Sequence, residues 1–155
     1  MKTLIASWFG TELMLRRLRG SDIGSGTVGS GAALVLALAL RPLGWWVQGA
    51  AFVLVTALSV WSTDGITDPD STKEADPGWV VVDEAAGTFL ATIGLGVTGA
   101  IVAFVVFRTA DIFKNGFPGV ARAERLPGGW GITADDLVAG AYGLAAGWLA
   151  TGLFS

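Results

Sequence analysis

Four stretches of this chain carry no charged residue: 23–40, 42–63, 85–107 and 137–155. Each is close to the roughly 20 apolar residues that a helix needs to cross the hydrocarbon core of a bilayer. Backbone groups in lipid must be satisfied inside helices or closed barrels. Strand patterning is confined to "WVVV" at 79–82, which reads as the lead-in to a helix. The expectation is therefore an all-α fold, a small multi-helix integral membrane protein forming a single membrane-embedded domain over 1–155. Charged residues make up 15% of the chain, well under the usual share of about 25%.

What is missing narrows the chemistry. With no Cys and no His, disulfides, thiolate nucleophiles, phosphohistidine and imidazole ligands are excluded. Any metal must be held by oxygen, which favours a hard cation such as Mg²⁺. A net charge of −3 argues against a nucleic-acid partner.

Along the chain, residues 3–18 read as an amphipathic interfacial helix ending in the basic cluster Arg16, Arg17 and Arg19. A Gly/Ser loop over 20–31 leads into a helix over about 28–40, which stops at Arg41-Pro42. A second helix spans about 45–62, with Trp45, Trp46 and Trp61 as interfacial anchors. Residues 63–79 form a polar loop, and its "DPDST" lacks the buried strand that aspartyl-phosphate chemistry needs. As one straight span, 85–107 would separate Asp83 from Arg108 by about 35 Å. Its middle, "GLGVTG" at 94–99, favours a turn instead. Two short helices would then return to their starting side. That hairpin keeps Arg108, Lys114, Arg122 and Arg125 on the cytoplasmic side with the N-terminal arginines, as the positive-inside rule requires. A last helix over about 134–153 crosses with its acidic end inside.

The acids are few and paired. Asp135-Asp136 and Asp83-Glu84 are adjacent like charges at the edges of apolar runs, an arrangement whose cost grows as water is removed. Helix capping is one explanation: in "TADD", Thr133 would be the N-cap and Asp136 the N3 acid. A divalent cation is the other. In "FRTADIFK", Arg108 and Asp111 share a helical face, and Lys114 lies within reach of Asp111. That stripe is either a surface ion pair of little worth or the set that a phosphate and a cation need together. In "GSGTVGS" at 24–30, backbone N–H groups with the Thr27 and Ser30 hydroxyls suit a phosphate, although a plain loop has the same look.

Four ordered stretches together resemble the phosphatidylglycerophosphatase A family. They are Gly26-Thr27-Val28-Gly29-Ser30; Asp76-Pro77 followed by Val81-Val82-Asp83-Glu84-Ala85-Ala86-Gly87; Phe107-Arg108-Thr109-Ala110-Asp111-Ile112-Phe113-Lys114; and Gly128-Gly129-Trp130-Gly131-Ile132-Thr133-Ala134-Asp135-Asp136 running on to Gly140. Ser25 stands where the family has Pro, Thr133 where Met is usual, and "KNGFP" where the family has Lys-Pro-x-Pro. The resemblance implies a Mg²⁺-dependent hydrolase that converts phosphatidylglycerophosphate to phosphatidylglycerol and phosphate, a step of phospholipid biosynthesis. It further implies an integral protein of the inner (cytoplasmic) membrane, its active site facing the cytoplasm, with a phospholipid as substrate. Asp83, Glu84, Asp111, Asp135 and Asp136 would be the metal ligands, with Asp83, Glu84, Asp111 and Asp136 catalytic; Thr27, Ser30, Arg108 and Lys114 would bind substrate. Water or an Asp could be the nucleophile. Another lipid phosphate monoester as substrate, a non-catalytic membrane protein with acid-capped helices, and an ion carrier stay open as alternatives; the carrier is disfavoured because the acids lie at segment ends. Oligomeric state is not legible in the sequence.

Overall fold

A computed structural model describes residues 1–8, 25–64 and 80–153. The amphipathic reading beyond residue 8, the arginine cluster at 16–19, the first part of the Gly/Ser loop and the polar segment 65–79, with Asp76-Pro77, lie outside the described residues.

Among the described residues the chain is helical, without a strand. The elements are α1 (Lys2–Ala6), α2 (Ser25–Leu40), α3 (Trp45–Thr63), α4 (Val82–Thr92), α5 (Val97–Ile112), α6 (Val120–Ala123) and α7 (Gly129–Leu153). Short 3-10 turns cover Arg41–Leu43 and Lys114–Gly116. Among the described residues two segments are long and apolar enough to cross a membrane, Gly26–Leu43 and Trp45–Thr63, with mean hydropathies of 1.4 and 1.3. Trp45, Trp46 and Trp61 are exposed at the two ends of α3, where interfacial anchors belong.

α2 begins at Ser25, earlier than the expected 28, so the "GTVGS" stretch is helix and not loop. The reason is packing. A Cβ on Gly26 would run into the Glu84 carboxylate, and one on Gly29 would come within 2.8 Å of the Val81 side chain. These glycines let α2 cross closely over the start of α4. At that start, the Val81 N–H donates to the Ala6 carbonyl at 2.9 Å, which ties α1 to the same corner.

The run 85–107 is a hairpin, as its central glycines suggest. α4 ends at Thr92 and α5 starts at Val97. Gly94 turns the chain with φ +71°, a conformation that L side chains rarely adopt. Gln48 of α3, only 1% exposed, closes the turn from the side. Its Nε2 donates to the Ala37 carbonyl at 3.1 Å, and its Oε1 accepts from the Gly94 N–H at 2.9 Å. The amide thus satisfies two backbone groups that would otherwise be costly at that depth.

α7 is the central element: both arms of the hairpin pack on it. Its 25 residues extend about 37 Å. Contact with α4 is backbone to backbone, since a Cβ on Gly140 would sit 2.6 Å from the Gly87 carbonyl oxygen. Phe107 fills the space beside Gly87 and is fully buried. The bundle therefore has two ends. Arg41, Trp45, Gly94 and Trp148 meet at one. The start of α4, the end of α5 and the start of α7 meet at the other.

Candidate active site

The second end gathers the acids. Asp83 and Glu84 stand in the first turn of α4, with the Glu84 N–H donating to Asp83 Oδ1 at 2.9 Å. Asp111 is in the last turn of α5. Asp135 and Asp136 lie on α7, which begins at Gly129 and not near residue 134. This shift removes the capping explanation for "TADD". Thr133 is inside the helix, donating back to the Gly129 carbonyl at 2.9 Å and meeting Ser59 Oγ at 2.7 Å. The two aspartates therefore face no orphan N-terminal amides. Asp83, Asp135 and Asp136 are all under 5% exposed. The carboxylates of Asp111, Asp83, Asp135 and Glu84 all act on Asp136. The hairpin and α7 thus bring together the five acids singled out from the sequence.

Two cations are set among them. Arg108 Nη1 reaches Asp111 Oδ2 at 2.7 Å and Glu84 Oε1 at 3.2 Å. The first contact is the expected i, i+3 pair. Lys114 does not pair with Asp111 as its spacing suggested. It bonds Asp135 Oδ2 at 2.6 Å and Glu124 Oε1 at 3.3 Å, because the chain leaves helical geometry at Phe113 and turns toward α7. Burial works to lower the Lys114 ammonium's pKa, but the hydrogen bond and charge of Asp135, with Glu124 adding, hold it above its ordinary value. Glu124 is the site residue that sequence reasoning missed. It belongs to no motif, and only the fold of 113–129 carries it to Lys114.

Of the two hydroxyls expected to bind substrate, Ser30 is buried. It donates to the Gly26 carbonyl at 2.6 Å and lies 3.3 Å from Glu84 Oε2. It therefore buttresses Glu84. Thr27, one turn earlier on α2, is exposed.

Three buried polar atoms in this cluster have no hydrogen-bond partner: Asp135 Oδ1, Asp136 Oδ1 and Arg108 Nε. Two are acceptors on anions and one is a donor on a cation. Orphaned charged groups of this kind are costly unless a ligand or ordered water completes them. Among the described residues no group of three acids is close enough to enclose a metal ion by itself. Mg²⁺ does not require that. It is commonly held by one or two carboxylates with water and substrate phosphate filling its shell, and two orphaned carboxylate oxygens fit that pattern. An apolar cavity of about 400 Å³ lies elsewhere, between α3 and the start of α7, lined by residues such as Phe52, Thr56, Val60 and Trp130 and by none of the clustered acids.

Comparison with known proteins bears on what this cluster does. The sequence profile of phosphatidylglycerophosphatase A matches residues 4–151. A protein of Bacteroides thetaiotaomicron, provisionally named a phosphatidylinositol-3-phosphatase, is 30% identical over 152 residues, covering 92% of this chain and 88% of its own length. No solved structure matches the chain at a significant level.

Proposed function

The chain belongs to the phosphatidylglycerophosphatase A family, a family of lipid phosphatases, and from that premise we propose that it hydrolyses phosphatidylglycerophosphate to phosphatidylglycerol and phosphate with Mg²⁺. The observation that carries this reading is the juxtaposition of the orphaned Asp135 and Asp136 oxygens with the orphaned Arg108 Nε. A phosphate monoester with a divalent cation supplies the missing partner of each.

Asp135 and Asp136 would hold the ion through their unpartnered oxygens, with Asp83, Glu84 and Asp111 near it. When bound, Mg²⁺ supplies Lewis-acid stabilisation of charge on the phosphoryl oxygens. Arg108 grips the phosphate, a task suited to its planar fork. Glu84 and Asp111 fix the orientation of the guanidinium, and Ser30 steadies Glu84 in turn. Lys114 adds a point charge from the α7 side. Thr27, exposed on the first turn of α2, would contact the lipid headgroup. One of the carboxylates takes the proton of the attacking water; the P–O bond to the lipid breaks in line and the alkoxide leaves. An Asp attacking phosphorus directly is the other route. Hydroxylamine trapping separates them, because only the acyl phosphate yields a hydroxamate.

A second reading replaces the substrate by a phosphoinositide. It is favoured by the provisional name of the relative and by the departure after Lys114, where "KNGFP" at 114–118 stands in place of the family's Lys-Pro-x-Pro. One assay decides: phosphate release from phosphatidylglycerophosphate, phosphatidylinositol 3-phosphate, phosphatidic acid and a water-soluble monoester, each with and without Mg²⁺. The expected result is Mg²⁺-dependent release that is fastest from phosphatidylglycerophosphate. Preference for the phosphoinositide transfers the proposal to the second reading. Release from none of the lipids overturns both.

A further inference from the structure

Three of the clustered acids have counter-ions that belong to the protein itself. Arg108 spans Glu84 and Asp111. Lys114 makes a 2.6 Å contact with Asp135. Among the buried carboxylate oxygens described, Asp135 Oδ1 and Asp136 Oδ1 lack partners, and a divalent cation arriving alone must approach them next to two positive groups, Arg108 and Lys114. A phosphate arriving alone finds Arg108 Nε buried and without a partner, but it must come up beside the carboxylates of Glu84 and Asp111 that already hold the guanidinium. Each ligand by itself meets the repulsion that the other removes.

Lys114 is built for exchange. It has a second hold on Glu124 at 3.3 Å, whose side chain is 37% exposed against 5% for Asp135. Releasing Asp135 therefore leaves the ammonium paired at the wetter rim, and gives the buried carboxylate to an incoming ion.

We propose that the divalent cation and the phosphate group bind this site as a coupled pair, with Lys114 as the internal counter-ion that the cation replaces at Asp135 and the phosphate takes over. The proposal rests on the metal-and-phosphate reading above and adds to it a thermodynamic order. Linkage requires the coupling to be reciprocal: whatever factor phosphate gives the cation, the cation gives phosphate.

The test is Mn²⁺ binding to the purified full chain in detergent micelles, read by electron paramagnetic resonance of free Mn²⁺, with and without inorganic phosphate. The Mn²⁺–phosphate complex measured without protein is subtracted. Wild-type affinity for Mn²⁺ is expected to rise about tenfold or more with phosphate, within the usual range of coupling between sites. Lys114→Met and Lys114→Gln, with folding checked by near-ultraviolet circular dichroism, are expected to bind Mn²⁺ more tightly than wild type without phosphate and to lose most of the phosphate effect. If phosphate leaves wild-type Mn²⁺ affinity unchanged while Asp136→Asn abolishes Mn²⁺ binding, the coupling is refuted and the metal site stands. If wild type binds no Mn²⁺ under either condition, the metal reading fails and takes the coupling with it. The wild-type comparison needs no variant, so a misfolded substitution does not blunt the result.

Discussion

Asp136 sits two turns into α7, 3% exposed, among four other carboxylates. Nothing in packing requires a charge there, and four neighbouring carboxylates oppose it, with Arg108 the cation that acts in its favour. This separates function from structure at a single residue. Asp136→Asn is expected to leave the melting temperature unchanged or higher, because like-charge repulsion is relieved, while Mg²⁺-dependent phosphatase activity falls by about 100-fold or more. A loss of activity accompanied by unfolding would instead mark Asp136 as structural. Lys114 behaves differently. A lysine whose folded-state pKa lies above its unfolded value contributes stability that is complete below that unfolded value, 10.5, and is lost only as pH rises through the folded-state one. Lys114→Met should therefore cost roughly 1.5–3 kcal/mol, equally at pH 7 and pH 9, in denaturation monitored by tryptophan fluorescence. The difference should shrink only at pH beyond 10.5. A cost that fades between pH 7 and 9 would show that the pair with Asp135 is not what Lys114 contributes.

The hairpin places Asp83 and Asp111 against α7, and glycine sets how closely it packs. Gly87 and Gly140 touch through their backbones, and a Cβ on Gly87 would also lie 2.7 Å from the Asp136 carbonyl oxygen. A side chain at either position drives α4 away from α7. Gly140→Leu is expected to destabilise by about 1–3 kcal/mol, the usual cost of overpacking. It should also lower activity beyond what the stability loss explains, since the same shift moves Asp83 away from Asp136. Comparing kcat with the folded fraction across temperature separates the two effects. The inter-helix closeness was half-visible in the sequence. Gly87 one turn after an acid pair signals close packing, but its partner could not be named, because Gly140 is one of 23 glycines and only the crossing of α4 and α7 selects it.

For the whole molecule, the question is which end faces which compartment. Asp64, Asn115 and the clustered acids share one end; Leu43 lies at the other beside the hairpin turn. In this Cys-free chain, Asp64→Cys and Asn115→Cys are expected to react with an impermeant maleimide from the same side, and Leu43→Cys, at an exposed position, from the opposite side. The positive-inside rule leads us to expect the acidic end on the cytoplasmic side, which the same labelling in oriented vesicles checks. Labelling of 64 and 115 from different sides would break the hairpin and scatter the site. The sequence by itself determined the class, a helical membrane protein. It also determined the chemical inventory, because a chain with so few charges and no His or Cys leaves its carboxylates, arginines, lysines and hydroxyls to act. Charge is so costly in apolar surroundings that each buried acid stands out along the chain. Tertiary structure alone decided the pairings: Lys114 with Asp135 and Glu124, Arg108 with Glu84, Ser30 behind Glu84, and the helix start at Gly129 that takes Asp135 and Asp136 out of the cap. Those pairings depend on where α2, α4, α5 and α7 cross, and a crossing is set by side-chain volumes on different helices at once, which no single stretch of sequence encodes.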